Sequence, residues 1–248
     1  MFKPSIIHHR CGGRPAREAL SGEFGLLCLN VHKNNQRAPF QSFFRQHMLQ
    51  RPTDLILWQE AMFRGQDSFF LDRFCYEAAP NLQLKNHYYG VLTASDTQVI
   101  NVASLLSFAQ EIFIKTHKSA LITYYSLGRA DGALLCVANI HAINFRGLRQ
   151  YQAEIGLLGE ALTSHRGPLI VAGDFNSWSP RRATTLRNFC HGLSLQQATM
   201  MDGRLIKRFF GQPLDHVFYR GLELLEARCF SSEVYSDHNL LYTRFRSD

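Results

Sequence analysis

The sequence has no apolar run near the ~18 residues that a membrane-crossing helix needs. Its opening, MFKPSIIHHRCGG, holds no apolar stretch of leader length. No stable membrane insertion is therefore expected. Cysteine is sparse. Cys11, Cys28, Cys75, Cys136, Cys190 and Cys229 include no C-x-x-C pair, which argues against a zinc ribbon or a disulfide framework. Cys28 and Cys136 lie inside apolar runs, so the cysteines are expected to be reduced and buried and the chain cytoplasmic. There is no internal repeat, low-complexity tract, linker or coiled coil. One α/β domain over residues 23–248 and a monomeric state are expected, preceded by a polar, aperiodic and mobile extension over 1–22.

Acidic residues are also short. Lys and Arg number 27 against 20 Asp and Glu, a net charge of +7. That balance attracts anionic partners such as nucleic acid or phospholipid, or leaves a basic surface with no such role. Apolar residues make up 46% of the chain, including 19 Phe, enough for a large core.

Short apolar runs that stop in polar residues recur along the chain. FGLLCLN (24–30) reads as a buried strand delivering Asn30 and His32 to its end, and LILWQEA (55–61) as one ending near Glu60. HYYGVLTAS, KSALITYYS, ALLCVANIHAINF, GPLIVAGDFN, PLDHVFY and SDHNLLYTRF read as further strands. Phe40, Phe43, Phe44 and Met48 recur at helical spacing, as do Leu148, Tyr151, Ile155, Leu158 and Leu162. Ser179-Pro180 starts a third helix and Gly192 ends it.

Buried strand interiors cannot accept the polar groups, so Asn30, His32, Glu60, Asn139, His141, Asn144, Asp174, Asn176, Asp215, Asp237 and His238 must gather at strand ends. Each alone has a plain structural reading as a cap, turn or satisfied core residue. Together, carboxylates, histidines and amides are the parts of a phosphate-cleaving site. Mg²⁺ takes carboxylate oxygens, a carboxylate can relieve an attacking water of its proton, and histidines can stabilise phosphoryl charge.

The motifs LILWQEA, NIHAINF, LIVAGDFNS, PLDHVFY and SDHNLL occur in that order. The chain resembles the endonuclease/exonuclease/phosphatase superfamily, of DNase I-like fold. NVHKNN, KSALIT and AGDFNSWS make it similar to the bacterial YafD-like branch. The resemblance implies a four-layer α/β sandwich, with two packed mixed sheets flanked by helices. It implies a nuclease or related phosphodiesterase that uses Mg²⁺, with Mn²⁺ as a substitute. Glu60 would hold the metal with Asn30, and Asp237 would complete the metal or water network. Asp174 would activate water, Asn176 hold a phosphoryl oxygen, His141 contact the phosphate and Asp215 orient His238. His32, Asn144 and Lys118 are substrate-binding candidates, with a solvated role as the plainer reading of Lys118. His216 stands where the family usually has an aromatic, and no carboxylate is evident to orient His141.

Arg181, Arg182, Lys207 and Arg208 are candidate nucleic-acid contacts, and Phe209 and Phe210 could stack on bases or be core residues beside a solvated loop. A phosphatase or phospholipid phosphodiesterase of the same fold is the alternative. An exposed aromatic hairpin would favour lipid, with Phe69-Phe70 as its candidate. A non-catalytic binding protein is the third reading.

Overall fold

The structure, a computed structural model, describes residues 7–8, 17–64, 69–106, 118–144 and 146–247. In chain order they form β1 (Ile7–His8), β2 (Glu23–Asn30), α1 (Ala38–Gln50), β3 (Leu55–Phe63), β4 (Cys75–Leu84), β5 (His87–Ser95) and β6 (Val99–Leu106). There follow β7 (Ser119–Ser126), β8 (Leu134–His141), α2 (Leu148–Thr163), β9 (Leu169–Asp174), α3 (Pro180–Gly192) and β10 (Gln196–Gln197). The chain closes with β11 (Arg208–Phe209), β12 (Gln212–Pro213), β13 (Asp215–Arg220), β14 (Glu223–Phe230) and β15 (Leu240–Arg246).

The strands build two mixed sheets, ordered β1-β4-β5-β3-β2-β15-β14 and β10-β13-β9-β8-β7-β6, with β11-β12 as a separate hairpin. Phe24, Leu26 and Leu57 of the first sheet pack on Val137, Ile170 and Val217 of the second. Phe40 and Phe44 of α1 close the outer face of the first sheet over Trp58 and Tyr242. Tyr151, Ile155, Leu158 and Leu162 of α2, with Leu186 and Phe189 of α3, close the second. This is the expected four-layer α/β sandwich.

Two crossovers determine where the polar strand ends fall. β2 pairs with β3 in parallel through α1, and β8 with β9 in parallel through α2. A parallel pair joined by a helix brings both strand C-termini to one edge. His141 thereby lies opposite Asp174. β13 runs antiparallel to β9, so its first residue, Asp215, also lies opposite Asp174. β15 runs antiparallel to β2, which returns the segment before it, with His238, to the same edge.

Three strands go beyond the sequence reading, which places no element over 75–84, 99–106 or 223–230. Within 1–22, Ile7–His8 pair with β4, and Arg17 is ion-paired to Asp54 and Asp96. The rest of the expected mobile extension lies outside the described residues, apart from 18–22. The expectation of uniformly reduced cysteines is corrected at one position. Cys28, Cys136, Cys190 and Cys229 are free, but Cys75 is disulfide-bonded, with a partner outside the described residues. Sequence spacing does not show which residues the tertiary fold brings within bridging distance. Among the described residues no helix is long and apolar enough to cross a membrane.

Candidate active site

Backbone exceptions build the site. Gly173 has φ +141°, and a Cβ there would lie 2.0 Å from the Ile140 carbonyl oxygen. Only glycine lets β9 approach β8 this closely. Asn176 sits at φ +48°, a region that asparagine tolerates, and its amide N–H donates to Asp174 Oδ1 at 3.0 Å. Glu60 has φ +52° and lies where the β3–β5 register shifts between Trp58 and Ala61. Such a bulge re-aims a side chain, and the Glu60 carboxylate comes within 3.8 Å of His141 Nε2 on the other sheet. Beneath it, Gln59 donates to Asn139 Oδ1 at 2.7 Å, tying the two sheets together.

Asp174 is the hub. Asn30 Nδ2 donates to its Oδ2 at 3.1 Å, and His141 Nε2 and His238 Nε2 lie 3.6 and 3.7 Å from the same oxygen. His238 Nδ1 stands 2.8 Å from Asp215 Oδ2. Burial opposes charge on this imidazole, but Asp215 and Asp174 outweigh it and raise its pKa to about 9. His238 is therefore an imidazolium at neutral pH. Ser236 accepts from the His238 backbone N–H and donates to the Asn30 carbonyl at 2.6 Å, fastening the last loop to β2.

His141 is governed differently. Lys118 Nζ donates to its Nε2 at 2.9 Å, and burial together with that ammonium lowers the imidazole pKa to about 4. The solvated reading of Lys118 is thus corrected, since the lysine is buried. Among the described residues the imidazole is hydrogen-bonded by this lysine, while the Glu60 and Asp174 carboxylates stand 3.8 and 3.6 Å from the same nitrogen. Burial would raise the Glu60 carboxyl, but its neighbours His141, Lys118 and Lys33 bring it down to about 2. Because His141 is uncharged at neutral pH, the lysines supply the field there.

The remaining candidates divide. Asn176 is buried, and its carboxamide donates to the Ala142 carbonyl. Asn144 accepts from Trp178 Nε1 at 3.1 Å and so ties down a loop. Asp237 is half exposed, bonded to Lys207, and 3.3 Å from His32 Nδ1. The Asp237 and His32 side chains are thus half exposed, whereas Asp174 is buried. Arg182 is corrected as a nucleic-acid contact. It is 1% exposed and donates to the carbonyls of Ile143, Asn144, Arg146 and Asn176. It underpins the loops bearing Asn144 and Asn176, and only its place on α3 beside those loops reveals this. His216 is a buried residue whose Nε2 meets Ser177 Oγ at 2.9 Å, and burial lowers its pKa to about 4.

Two aromatic pairs exchange places. Phe69 is buried against Trp58, on which Phe70 stacks, so they form no exposed hairpin. Phe209 and Phe210 are 44% and 75% exposed at the β11–β12 turn. They pack against each other and Trp178, so they are not core residues.

Asp174, Asp215 and His238 each place a ligand atom within 4.8 Å of one another. Within this group His238 Nδ1 is engaged by Asp215, which leaves its Nε2 and the Asp174 carboxylate facing each other. Glu60 is ionised and a quarter exposed, and the Asn30 carboxamide oxygen accepts from the His32 backbone N–H at 3.1 Å; both are hard oxygen donors of the kind that could hold a divalent cation.

The sequence model of the Endonuclease/Exonuclease/phosphatase family matches residues 27–238. A UPF0294 protein of Yersinia enterocolitica is 40% identical over 89% of this chain and 83% of its own length. One from Yersinia pestis is 38% identical over 88% and 81%. The catalytic domain of human Nocturnin, solved with a bound sulfate anion, superposes with a TM-score of 0.65 at 16% identity, over 92% of this chain and 95% of that one. An AP endonuclease from Leishmania major gives 0.66 at 14%, over 91% and 88%.

Proposed function

The chain belongs to the endonuclease/exonuclease/phosphatase family, and from that premise we propose that it is a metal-assisted phosphodiesterase that cleaves nucleic acid. The observation that carries this reading is the arrangement around Asp174: a buried carboxylate faced by a cationic His238 and a neutral His141. In this reading a water attacks phosphorus in line with the leaving oxygen. Its O–P bond forms as the ester O–P bond breaks, and its proton passes to Asp174. The imidazolium of His238, held by Asp215, donates a hydrogen bond to a phosphoryl oxygen as charge builds there. Asn176 would hold a phosphoryl oxygen with the Nδ2 hydrogen not given to the Ala142 carbonyl, and Lys118 keeps His141 in one tautomer. Glu60 and Asn30 would hold a divalent cation, Mg²⁺ or Mn²⁺, which when bound supplies charge neutralisation at the phosphoryl group.

The net charge of +7 and the Lys207-Arg208-Phe209-Phe210 hairpin support a polynucleotide substrate. Basic side chains give sequence-independent affinity, and exposed rings can stack on bases. The same exposed hairpin favours a second reading, a phospholipid phosphodiesterase whose hairpin touches the lipid surface.

The test is a panel of single- and double-stranded DNA, RNA, an abasic duplex, sphingomyelin, phosphoinositides and bis(p-nitrophenyl) phosphate, each with Mg²⁺ or Mn²⁺. Asp174→Asn and His238→Ala proteins run beside the wild type. Metal-dependent cleavage of nucleic acid, lost in both variants, is the expected result. Turnover of lipid alone would establish the second reading, and no turnover of any diester would overturn both.

A further inference from the structure

Behind the catalytic loops lies a cavity of about 480 Å³, bounded by α3, β13 and the β12 edge of the hairpin. It falls within the size range of small-ligand sites, ~300–1,000 Å³. None of the groups assigned to chemistry above lines it. Two segments nevertheless form its wall and the catalytic centre at once: Asp174 and Asn176 precede Ser177, and Asp215 precedes His216. Alternate residues of β13 face opposite sides of the sheet, so Asp215 serves the catalytic centre while His216 and Phe218 serve the cavity.

The lining is selective. Ala183, Leu186, Leu195 and Phe218 make an apolar wall. The His216 and Phe218 rings are nearly parallel, 12° apart with centroids at 5.2 Å. The polar atoms of His216 are already committed. Gln197 Nε2 lies 3.3 Å from its Nδ1, and its Nε2 meets Ser177 Oγ, which in turn donates to the Pro213 carbonyl. This fixed, uncharged chain leaves the cavity without a buried ionic group. The Gln212 carboxamide and the His191 imidazole also line the cavity and make no hydrogen bond among the described residues. At its mouth Arg187 bonds Thr184 Oγ1 and has no acidic partner among the described residues. An apolar wall beside the His216 and Phe218 rings, the Gln212 carboxamide with the oxygen and remaining N–H of Gln197, and an unneutralised guanidinium match a flat heteroaromatic ring that carries an anion.

We propose that this cavity binds a nucleobase with its attached phosphate, the base edge meeting Gln197 and Gln212 and the phosphate meeting Arg187. Carboxamides pair with the donor and acceptor edge of a base, and guanidinium pairs with phosphate oxygens. Two sources carry this chemistry: a base of the strand being cut, or a free mononucleotide. The first rests on the nuclease reading above. The binding chemistry itself does not.

The experiment titrates the full chain with AMP, with inorganic phosphate and benzoate as controls, by calorimetry. It compares wild type with Arg187→Glu and Leu186→Trp. Arg187 lies on the surface of α3, so its variant keeps the fold if Leu186→Trp does not. AMP is expected to bind, and Arg187→Glu to weaken it about tenfold or more, as the loss of a charge-assisted contact does. No AMP binding by the wild type, or binding unchanged in Arg187→Glu, overturns the proposal. Cleavage assays then separate the sources. If the base belongs to the strand, Arg187→Glu raises KM for a single-stranded oligonucleotide while turnover of bis(p-nitrophenyl) phosphate holds. If the ligand is a free nucleotide, KM for the oligonucleotide holds and added AMP alters the rate in wild type only. A wild type that cleaves no diester sinks the nuclease reading, whereas the AMP titration still decides the cavity.

Discussion

At the scale of single residues, the two histidines illustrate how environment divides one residue type into two roles. His238 faces two carboxylates and is cationic; His141 faces a lysine and is neutral. The His238 pKa is raised from 6.5 to about 9 by Asp215 and Asp174 against the effect of burial. A group raised in the folded state stabilises it fully below its unfolded pKa, and that contribution is lost as pH rises toward and through the folded one. We therefore expect the urea midpoint of the wild type to fall between pH 6.5 and 9, and Asp215→Asn to flatten that fall. Hydrolysis should decline above about pH 9 as the imidazolium donor is lost. Asp174→Asn should cut kcat by about 10²–10⁴ with the far-UV circular dichroism unchanged. Asp174, Asp215 and His238 stand out in the sequence because carboxylates and histidines are costly at the ends of buried runs. Arg182 and Lys118 do not, because a basic residue on a surface pattern reads as solvated until the fold encloses it.

At the scale of elements, β9 and the hairpin carry opposite expectations. In Gly173→Ala the new methyl group must displace the Ile140 carbonyl, and the backbone at φ +141° is one that side chains avoid. A loss of at least about 3 kcal/mol in chemical denaturation is expected. Phe210→Ala removes a ring that is 75% exposed, so stability should hold within about 0.5 kcal/mol. KM for a single-stranded oligonucleotide should rise about fivefold or more, the loss of one base-stacking contact, as steady-state kinetics would read. Helices α1, α2 and α3 follow from 3.6-residue spacing and from the Ser179 cap, whose oxygen accepts from the Arg182 N–H. Strands β4, β6 and β14 evade such reading. β4 carries Pro80 inside a weakly alternating run, β6 is the last strand of its sheet and leaves Asn101 exposed, and β14 is another sheet-edge strand with an exposed start. Edge strands lack the two-sided burial that makes a run uniformly apolar.

At the scale of the whole molecule, the positive charge and the disulfide each give an expectation. Nucleic-acid affinity should fall linearly with the logarithm of salt concentration, while turnover of a small diester stays nearly level. Alkylation of the unfolded, unreduced chain should label the four free cysteines and spare Cys75, as mass spectrometry would count. A disulfide is unusual in a reducing compartment, so the thiol argument for a cytoplasmic location loses its premise. The sequence by itself determined the buried runs with polar ends, which follow from burial, and the order of the motifs, whose resemblance to a known family implied the sandwich. Only the tertiary structure decided which ends meet. The two parallel crossovers bring Asn30, His141 and Asp174 to one edge, and the β3 bulge turns Glu60 toward them. Register and burial are properties of strands already paired: they place Lys118 against His141, sink Arg182 beneath the loops, and open a cavity behind His216.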